Sequence, residues 1–363
     1  TLDGVDINDQ ETGGRTTQFD LTQSTALRLT TEAVEEFRIT TTNANANQGR
    51  SSGAQISLVT KGGTNDFHGA GFYFYRPTEF SANDFFNNSA GVDRPSLARD
   101  IFGGAIGGPI VKDKMFFFYS YEGQRESSAT SFVNLVPLQS LGNGNLNFRG
   151  QGPGCGPLIA NSTAANCTLT TAQLNTIFPD AGINPAAIAA FSNAAGKYTA
   201  NDTTTGDGIN TSGFRFNAPI TISENTHIAR FDWNLSENQQ IFLRGNYQWD
   251  ISSGNANPLL GQAFPDTPAP QVWSHPMGFV VGHNWTVNSN MINNLRVGLT
   301  RVAFSAQGDS AGNNISFRDV FAPLNFTRTN SRVNPTWNIT DDFTWIKSNH
   351  TLQFGGNVRI VTN

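Results

Sequence analysis

Residues 107–123, GGPIVKDKMFFFYSYEG, combine a charged turn with a run of bulky side chains. Lys112, Asp113 and Lys114 predict a tight turn, yet the five residues that follow, 115–119, are all apolar or aromatic. A strand between a protein core and water would place large apolar residues at alternate positions only. The stretch therefore requires an environment that accepts aromatic side chains on both faces of a strand directly after a turn.

Composition narrows the classes of protein to which the chain can belong. Charged residues make up only 14% of its 363 residues, against about 25% in an ordinary soluble domain, whereas aromatic residues reach 11%. No window approaches the roughly 18 to 20 uninterrupted apolar residues of a membrane-spanning helix, which excludes a helical membrane protein. The mean hydropathy of −0.33 is compatible with a transmembrane β-barrel, because barrel strands alternate lipid-facing apolar residues with polar lumenal residues.

The remaining composition argues against several functions. A net charge of −5, with both signs scattered, leaves no basic patch for a nucleic acid. The five histidines lack metal-ligand spacing and no catalytic constellation can be argued, so we expect no enzyme, no metal and no cofactor. Cys155 and Cys167 lie in a Gly-, Pro- and Asn-rich stretch. In an oxidising compartment they would form one disulfide, and the alternative is two free thiols.

From residue 68 onward the sequence repeats one device, in which two alternating runs of about ten residues are joined by a short polar turn. One strand, 68–76, precedes four predicted hairpins: 100–111 with 114–125, 226–235 with 239–250, 277–287 with 291–305, and 336–346 with 350–360. Long segments rich in Gly, Asn, Ser, Thr and Pro separate them and are predicted as loops: 77–99, 126–225, 251–274 and 306–335. Alternation of short turns with long loops is typical of an outer-membrane barrel and favours it over a β-sandwich.

The side chains of the hairpins predict two unlike faces. In the second hairpin Phe231, Trp233 and Leu235 alternate with polar neighbours, whereas in the fourth Asp341 falls on the face predicted to be apolar. Three tryptophans lie beside the short turns, where an interfacial aromatic girdle is expected: Trp233, Trp285 and Trp345. Phe117, Tyr119 and Tyr121 would then face lipid while Phe116 and Phe118 fill the interior, which accounts for the opening stretch.

Residues 1–65 lack the hairpin rhythm and predict a small α+β unit, with a helix near 31–36, strands at 37–42 and 54–60, and a turn at 61–65. Four segments within residues 1–69 resemble the passage from plug to barrel in TonB-dependent outer-membrane receptors: LDGV at 2–5, VEEFR at 34–38, GRSSG at 49–53 and VTKGGTNDFHG at 59–69. The run FGGAIGGPI at 102–110, with the KDK and FFF that follow, is similar to the subgroup that carries a carboxypeptidase-regulatory-like N-terminal domain.

The resemblance implies an antiparallel membrane β-barrel that is partial here, with about nine of roughly 22 strands and a small α+β plug segment. Residues 1–65 would be the C-terminal part of the plug, and 66–363 the N-terminal part of the barrel. The implied function is import of a siderophore, carbohydrate or peptide through the outer membrane of a Gram-negative bacterium. The implied partners are the bilayer, a small ligand and the TonB complex, which would act through a region absent from this sequence, so we expect a fragment.

Charged residues of the N-terminal segment and of the predicted inner wall are candidates for contacts between plug and barrel: Glu35, Glu36, Arg38, Arg50, Arg230, Asp232 and Arg244. Pairs of this kind would contribute about 0 to 1 kcal/mol each and could rearrange when a plug moves; the alternative is charges solvated in a wet lumen. Four glycines lack the spacing of a phosphate-binding loop, and we expect them to let the plug pack against the wall: Gly103, Gly104, Gly107 and Gly108.

The segment 126–225 is expected to fold over the barrel mouth, where a ligand would be captured. It predicts helices at 170–177 and 185–197. Its aromatic residues are expected to pack within the loop, with stacking on a sugar or aromatic ligand as the alternative: Phe178, Phe191, Tyr198, Phe214 and Phe216. Two other functions remain open at this point: a surface adhesin or assembly barrel that binds a protein without transport, and a secreted β-sandwich binding module.

Overall fold

The computed structural model describes residues 1–8, 27–41, 54–149, 166–179, 182–254, 264–268, 271–307, 316–322 and 329–362. Its N-terminal unit, which we define as the described residues up to 65, contains an antiparallel hairpin of β1 (Val34–Thr40) and β2 (Gln55–Thr60). The helix predicted near 31–36 is a single 3-10 turn, Thr31–Ala33, and the strand begins at Val34. Val34, Phe37 and Ile39 favour extended structure, which limits the helical turn.

Twelve further strands follow in the described part of the chain. They are β3 (His68–Pro77), β4 (Leu97–Val111), β5 (Met115–Pro137), β6 (Leu146–Arg149), β7 (Asn166–Leu169), β8 (Thr211–Ser236), β9 (Gln239–Gly254), β10 (Gln271–Ser274), β11 (Met277–Asn288), β12 (Met291–Gln307), β13 (Asn330–Lys347) and β14 (His350–Val361). Strands β6 and β7 pair only with each other, and the rest form one antiparallel sheet.

The order of the large sheet follows the chain from β3 at one edge to β14 at the other. Strands β10 and β11 share one position between β9 and β12, so the described residues fill nine positions, as the sequence predicted. His275 and Pro276 separate the two strands, because proline has no N–H to donate to a neighbouring strand. The ladder continues across the break, where the Pro276 carbonyl accepts a hydrogen bond from Gln248 N at 3.1 Å.

The four predicted hairpins are confirmed, with short connections at 112–114, 237–238, 289–290 and 348–349. Asp113 and Ser348 adopt positive φ angles of 64° and 54° in these turns. At the other ends the strands run further than predicted. Strands β5 and β8 stay paired from Met115↔Trp233 to Pro137↔Thr211, so 126–137 and 211–225 belong to strands and not to a loop. The ladder needs only backbone groups, and it continues where the apolar alternation ends.

Four helices lie outside the large sheet among the described residues. They are α1 (Phe85–Ser89), α2 (Gln139–Gly142), α3 (Thr171–Ile177) and α4 (Pro185–Lys197). The last two are the predicted helices: Thr170 and Gln173 form a capping box at α3, and Asn184 caps α4 ahead of Pro185. Within the described ranges no helix is both long and apolar enough to cross a bilayer.

The two faces of the large sheet differ as the sequence predicted. We call the face that contacts the N-terminal unit the inner face and the opposite one the outer face. On β9 the outer residue Leu243 is 44% exposed, whereas its inner neighbour Arg244 is 1% exposed. The same alternation exposes Phe231 and buries Asp232 on β8. Asp341 lies on the outer face, as the sequence indicated, and accepts a hydrogen bond there from Asn293, a second polar residue of that face.

The opening stretch follows from these two faces. Phe118 points inward and packs against Ala33 of the N-terminal unit and Ile228 of β8. Tyr119 points outward, is partly exposed and hydrogen-bonds His227 at 2.8 Å. Aromatic residues occur on both faces because one face meets the N-terminal unit and the other meets the surroundings of the sheet.

If hydrocarbon covers the outer face, Leu243→Arg destabilises the full-length protein by about 2–4 kcal/mol although Leu243 is exposed to solvent here, because a charge is then placed in lipid. Urea unfolding from phospholipid vesicles measures the loss. The matched control is Phe178→Arg, at an exposed position after α3, where the change stays within about 0.5 kcal/mol. Equal effects of the two substitutions would contradict a lipid-facing outer surface.

Candidate functional site

Asp3 links the N-terminal unit to the inner face through a buried ion pair. Its Oδ2 accepts a hydrogen bond of 3.1 Å from Nε of Arg244, and the two side chains are 2% and 1% exposed. Thr60 adds two donors to the same carboxylate, from its backbone N at 2.9 Å and its Oγ1 at 3.0 Å. Two buried charges each cost several kcal/mol of desolvation, so the pair depends on its mutual contact and on these additional hydrogen bonds.

The local sequence explains how Asp3 reaches this position. Asp3 and Gly4 form a tight turn between Leu2 and Val5, with positive φ angles of 49° and 84°. Asp-Gly is a favoured pair for such a turn, because glycine adopts a positive φ without steric cost. Leu2 and Val5 on either side are buried, so the turn presents the Asp3 carboxylate toward β9.

Arg230 joins the same cluster from β8. Its guanidinium binds Asp232 with Nη2 to Oδ1 at 2.9 Å and Nε to Oδ2 at 3.0 Å, and its Nη1 donates to the Thr60 carbonyl at 2.7 Å. The Phe242 ring lies between two cations, 4.8 Å from Arg230 and 5.0 Å from Arg296. Beside this cluster, Asp3, Arg230, Phe242 and Arg296 help to line a cavity of ≈ 350 Å³ between the N-terminal unit and the sheet.

Arg28 forms a second anchor further along β8 and β9. Its guanidinium lies 2.6 Å from Glu224 and 2.9 Å from Asp250. Its backbone carbonyl accepts hydrogen bonds of 2.9 Å from the side-chain amides of Asn246 and Gln248. Arg28 of the N-terminal unit therefore contacts the large sheet through both its side chain and its backbone.

Two glycines on the inner face of the large sheet let the N-terminal unit approach the backbone of the sheet closely. A Cβ at Gly298 would lie 2.7 Å from a methyl of Val5, and one at Gly278 would lie 2.5 Å from a methyl of Leu27. The glycines predicted for this role behave differently. Added Cβ atoms at Gly103, Gly104 and Gly107 would meet neighbouring strands of the sheet, and one at Gly108 would meet the ring of Phe67, which follows the N-terminal unit. Glycine is also needed where the backbones of neighbouring strands approach closely. Position in the sequence alone therefore did not show which glycines contact the N-terminal unit.

The predicted contact residues divide into two groups. Arg230, Asp232 and Arg244 lie at the inner face beside the N-terminal unit. Glu35, Glu36 and Arg38 are exposed on β1, and none forms an ion pair or hydrogen bond with the described part of the sheet. Arg50 lies outside the described residues. Asp3 and Arg28 were not predicted as contact residues from the sequence. The Asp-Gly pair at 3–4 is a sequence signal for the turn that positions Asp3, whereas no sequence signal marks Arg28.

Asp202 and Asp207 each accept several hydrogen bonds within the segment between β5 and β8, and Asp202 is buried. Burial acts to raise the pKa of Asp207, but backbone N–H groups of Asn210, Thr211 and Ile209 donate to the carboxylate and hold its pKa well below the ordinary range. The pKa of Asp202 is lowered in the same way, since donors on Thr204 and Arg215 outweigh its burial. Cys167 is buried and disulfide-bonded; Cys155 lies outside the described residues, and the pairing of the two stays a prediction.

Residues 59–363 match the family model described as the outer membrane beta barrel domain, and the chain belongs to this family. It is 30% identical over 124 residues to the TonB-dependent transporter Oar of Myxococcus xanthus, an alignment that covers 33% of this chain and 11% of Oar. The outer membrane transporter YddB from Escherichia coli matches 99% of the chain with a TM-score of 0.56 at 12% identity. At this low identity, the similarity to YddB shows the fold alone.

The matched part of the chain spans 39% of YddB and 11% of Oar, so both of these proteins are much longer than this chain. Together the three comparisons confirm the predicted resemblance to TonB-dependent outer-membrane receptors and the membrane β-barrel fold. They also confirm the predicted location, the outer membrane of a Gram-negative bacterium.

Asp3→Asn leaves Arg244 buried without its counterion, so docking of the N-terminal unit weakens by about 3–5 kcal/mol. Hydrogen exchange of the β2 amides in the full-length protein measures this loss. The control is Glu32→Gln, which removes a more exposed pair, 3.7 Å from Lys61, and costs about 1 kcal/mol or less. Similar protection of β2 in both variants would show that the buried pair does not hold the unit.

Acid loosens the segment around Asp202 and Asp207. Their folded pKa values lie below the unfolded value of about 3.9, so their stabilisation is complete above that pH and is lost as pH falls toward the folded values. Proteolysis of the segment by pepsin, compared at pH 4 and pH 2, measures the change. Asp207→Asn removes most of the pH dependence, whereas Asp319→Asn, at a side chain that is 90% exposed, leaves it intact. A pH response that Asp207→Asn does not alter would contradict this assignment.

Proposed function

We propose that the chain is part of an outer-membrane receptor that imports a scarce ligand, a siderophore, carbohydrate or peptide, with the N-terminal unit as part of its plug. The observation that carries the proposal is the polar contact between this unit and the inner face. Asp3, Arg28 and Thr30 each bind wall residues through ion pairs or hydrogen bonds. Groups of this kind can exchange protein partners for water when the unit moves, whereas a purely apolar contact would lose its stabilisation outright.

The comparisons support the coarser part of this proposal. Oar is named a TonB-dependent transporter and YddB an outer membrane transporter, which supports a receptor or transporter and argues against an enzyme. Energy from the TonB complex belongs to the proposal, and the contact would be made by a part of the protein outside this chain. The nature of the ligand is also proposed on the family resemblance only.

The domain division follows from the same proposal. Residues 1–65 form the end of the plug, and 66–363 form the first part of the barrel. The long connections, on the side opposite the short turns, face the cell exterior, where a ligand would first bind. The bilayer covers the outer face, and no nucleic acid is involved.

A disulfide between the N-terminal unit and the wall tests whether the unit must move. The hydroxyl oxygens of Thr30 and Ser120 lie 2.7 Å apart and both residues are buried, so cysteines at these two positions are close enough to bond. Growth of a deletion strain on siderophores, carbohydrates and peptides supplied in turn first identifies the ligand class. Thr30→Cys with Ser120→Cys then reduces uptake at least tenfold, and a reductant restores it.

The control pair is Thr221→Cys with Ser253→Cys, which joins β8 to β9 inside the wall, where the two hydroxyls also meet. This pair leaves uptake unchanged under the same conditions, since the N-terminal unit stays free. Single cysteine variants, assayed with and without the reductant, measure the effect of each substitution by itself and the effect of reducing the native cysteines. Undiminished uptake with the Thr30–Ser120 disulfide formed would contradict a moving plug. Absence of any TonB-dependent uptake would favour the adhesin or assembly alternative.

A further inference from the structure

Charged side chains on the outer face of the large sheet differ in how well the protein satisfies them. Asp100 accepts a hydrogen bond from the Tyr73 hydroxyl, and Asp341 accepts one from Asn293 at 3.0 Å. Arg125 donates to two backbone carbonyls at 2.8 Å and to a side-chain amide oxygen at 2.7 Å. These three charges are therefore hydrogen-bonded within the protein itself.

Arg301 of β12 differs from them. Its neighbour Thr300 faces the N-terminal unit and donates from Oγ1 to the Asp6 carbonyl at 3.2 Å, so Arg301 faces outward. Among the described residues Arg301 has no ion pair, and its one hydrogen bond runs from Nη2 to the His275 carbonyl at 3.4 Å. Its Nε is buried, and no described residue provides an acceptor for it. Arg301 is thus a cation whose donors the described part of the chain leaves largely unsatisfied.

The residues paired with Arg301 in the ladder offer no anionic group, since they are Met277 of β11 and Pro335 of β13. An aromatic side chain lies close by. Trp249 of β9 is 44% exposed and stacks on His275, with ring centroids 5.6 Å apart and planes inclined by 22°. We call Trp249, His275 and Arg301 the outer patch. It combines a cation with an exposed aromatic ring.

The position of the outer patch along the strands indicates its depth in a bilayer. Trp285 of the predicted girdle lies four residues before Ser289 of its turn, whereas Arg301 lies eleven residues after Asn290 of the same turn. This difference of seven residues corresponds to about 18 Å along the membrane normal, at about 3.3 Å per residue and a strand tilt of about 40°. The apolar band of an outer-membrane barrel is about 25 Å tall. Arg301 therefore lies about 7 Å from the boundary on the side of the long connections, within reach of an arginine side chain.

Lipid on the outer face changes what Arg301 requires. In water the guanidinium is hydrated, whereas a charge at a lipid-facing position is costly unless it reaches the interface or an anionic group. Phosphate suits a guanidinium, because two parallel N–H donors match two phosphate oxygens. Tryptophan is favoured at the same depth, where its ring packs on lipid and its N–H contacts polar groups. The outer patch therefore has the groups that bind a phosphate-bearing lipid.

We propose that the outer patch binds one anionic lipid, with Arg301 bound to the phosphate of its headgroup and Trp249 packed against the lipid. The proposal rests on the receptor function proposed above, because it requires a bilayer on the outer face, and it identifies a partner for that face. The short turns of such barrels are periplasmic, so this lipid belongs to the leaflet that faces the cell exterior. Arg125 lies eleven residues after Lys114 of its own turn but is not such a site, because its donors already bind the protein.

Native mass spectrometry of the full-length receptor in detergent tests the proposal by counting bound lipids during titration with dioleoylphosphatidylglycerol or dioleoylphosphatidylcholine. Arg301→Gln binds one phosphatidylglycerol fewer than the wild type, because its affinity at the outer patch falls about tenfold with the loss of charge-assisted hydrogen bonds. Phosphatidylcholine, whose choline neutralises the phosphate, binds both proteins alike. Arg301→Lys keeps the charge but lacks the paired donors, and its affinity is intermediate.

The matched control is Arg125→Gln, which removes the same charge from the same face at the same distance from a turn and keeps the wild-type number of lipids. Trp249→Ala weakens both lipids to the same extent, since the ring contacts the part of the lipid that the two probes share. Hydrogen exchange of the β2 amides at the wild-type level shows that each variant remains folded.

Equal numbers of phosphatidylglycerol on the wild type and Arg301→Gln would contradict the site, and so would an equal loss in Arg125→Gln. Displacement of the lipid by inorganic phosphate at the same concentration would assign a soluble anion and contradict a lipid site. Ligand uptake and the effect of Leu243→Arg are measured separately, so none of these results decides the receptor function.

Discussion

Adjacent side chains of a β-strand point to opposite faces of the sheet. In this sheet, neighbouring residues therefore lie in different environments, apolar on the outer face and polar on the inner face. Leu243 faces outward, and the next residue, Arg244, faces the N-terminal unit with 1% of its surface exposed. A shift of register by one residue would exchange these environments along an entire strand. The pairing of nine strand positions in the described residues, and the faces they present, depend on this alternation.

The same constraint determines how the N-terminal unit is held. A strand that gives its large apolar residues to the outer face has mainly polar residues for the inner one, so the unit docks through charges and amides. Asp3 binds Arg244, six residues from the turn at 237–238, and Arg28 binds Asp250, twelve residues from it. The contact is thus distributed along the strand. Gly278 and Gly298 supply the space that larger inward side chains would deny to Leu27 and Val5.

Local chemistry predicted much of the fold from the sequence. The charged and amide-rich turns, the alternation of the hairpins and the capped helix at 185–197 all depend on neighbours within a few residues. The ends of β5 and β8 could not be predicted, because backbone ladders continue after the apolar pattern stops. Arg244 was identified as a contact residue without its partner, since Asp3 lies 241 residues away. Phe264 packs among the rings of Tyr198, Phe214, Phe216 and Phe321, a tertiary arrangement of distant segments that no local pattern encodes.

We expect lipid to cover the outer face while the N-terminal unit covers the inner one. Spin labels on β9 of the full-length receptor in bilayers test it directly, through their collision rates with oxygen and with a water-soluble nickel chelate. Labels at 243 and 247 should collide with oxygen far more often than labels at 246 and 248, which are shielded from both reagents. Equal oxygen collision rates at all four positions, or free access of nickel to 243 and 247, would contradict the account.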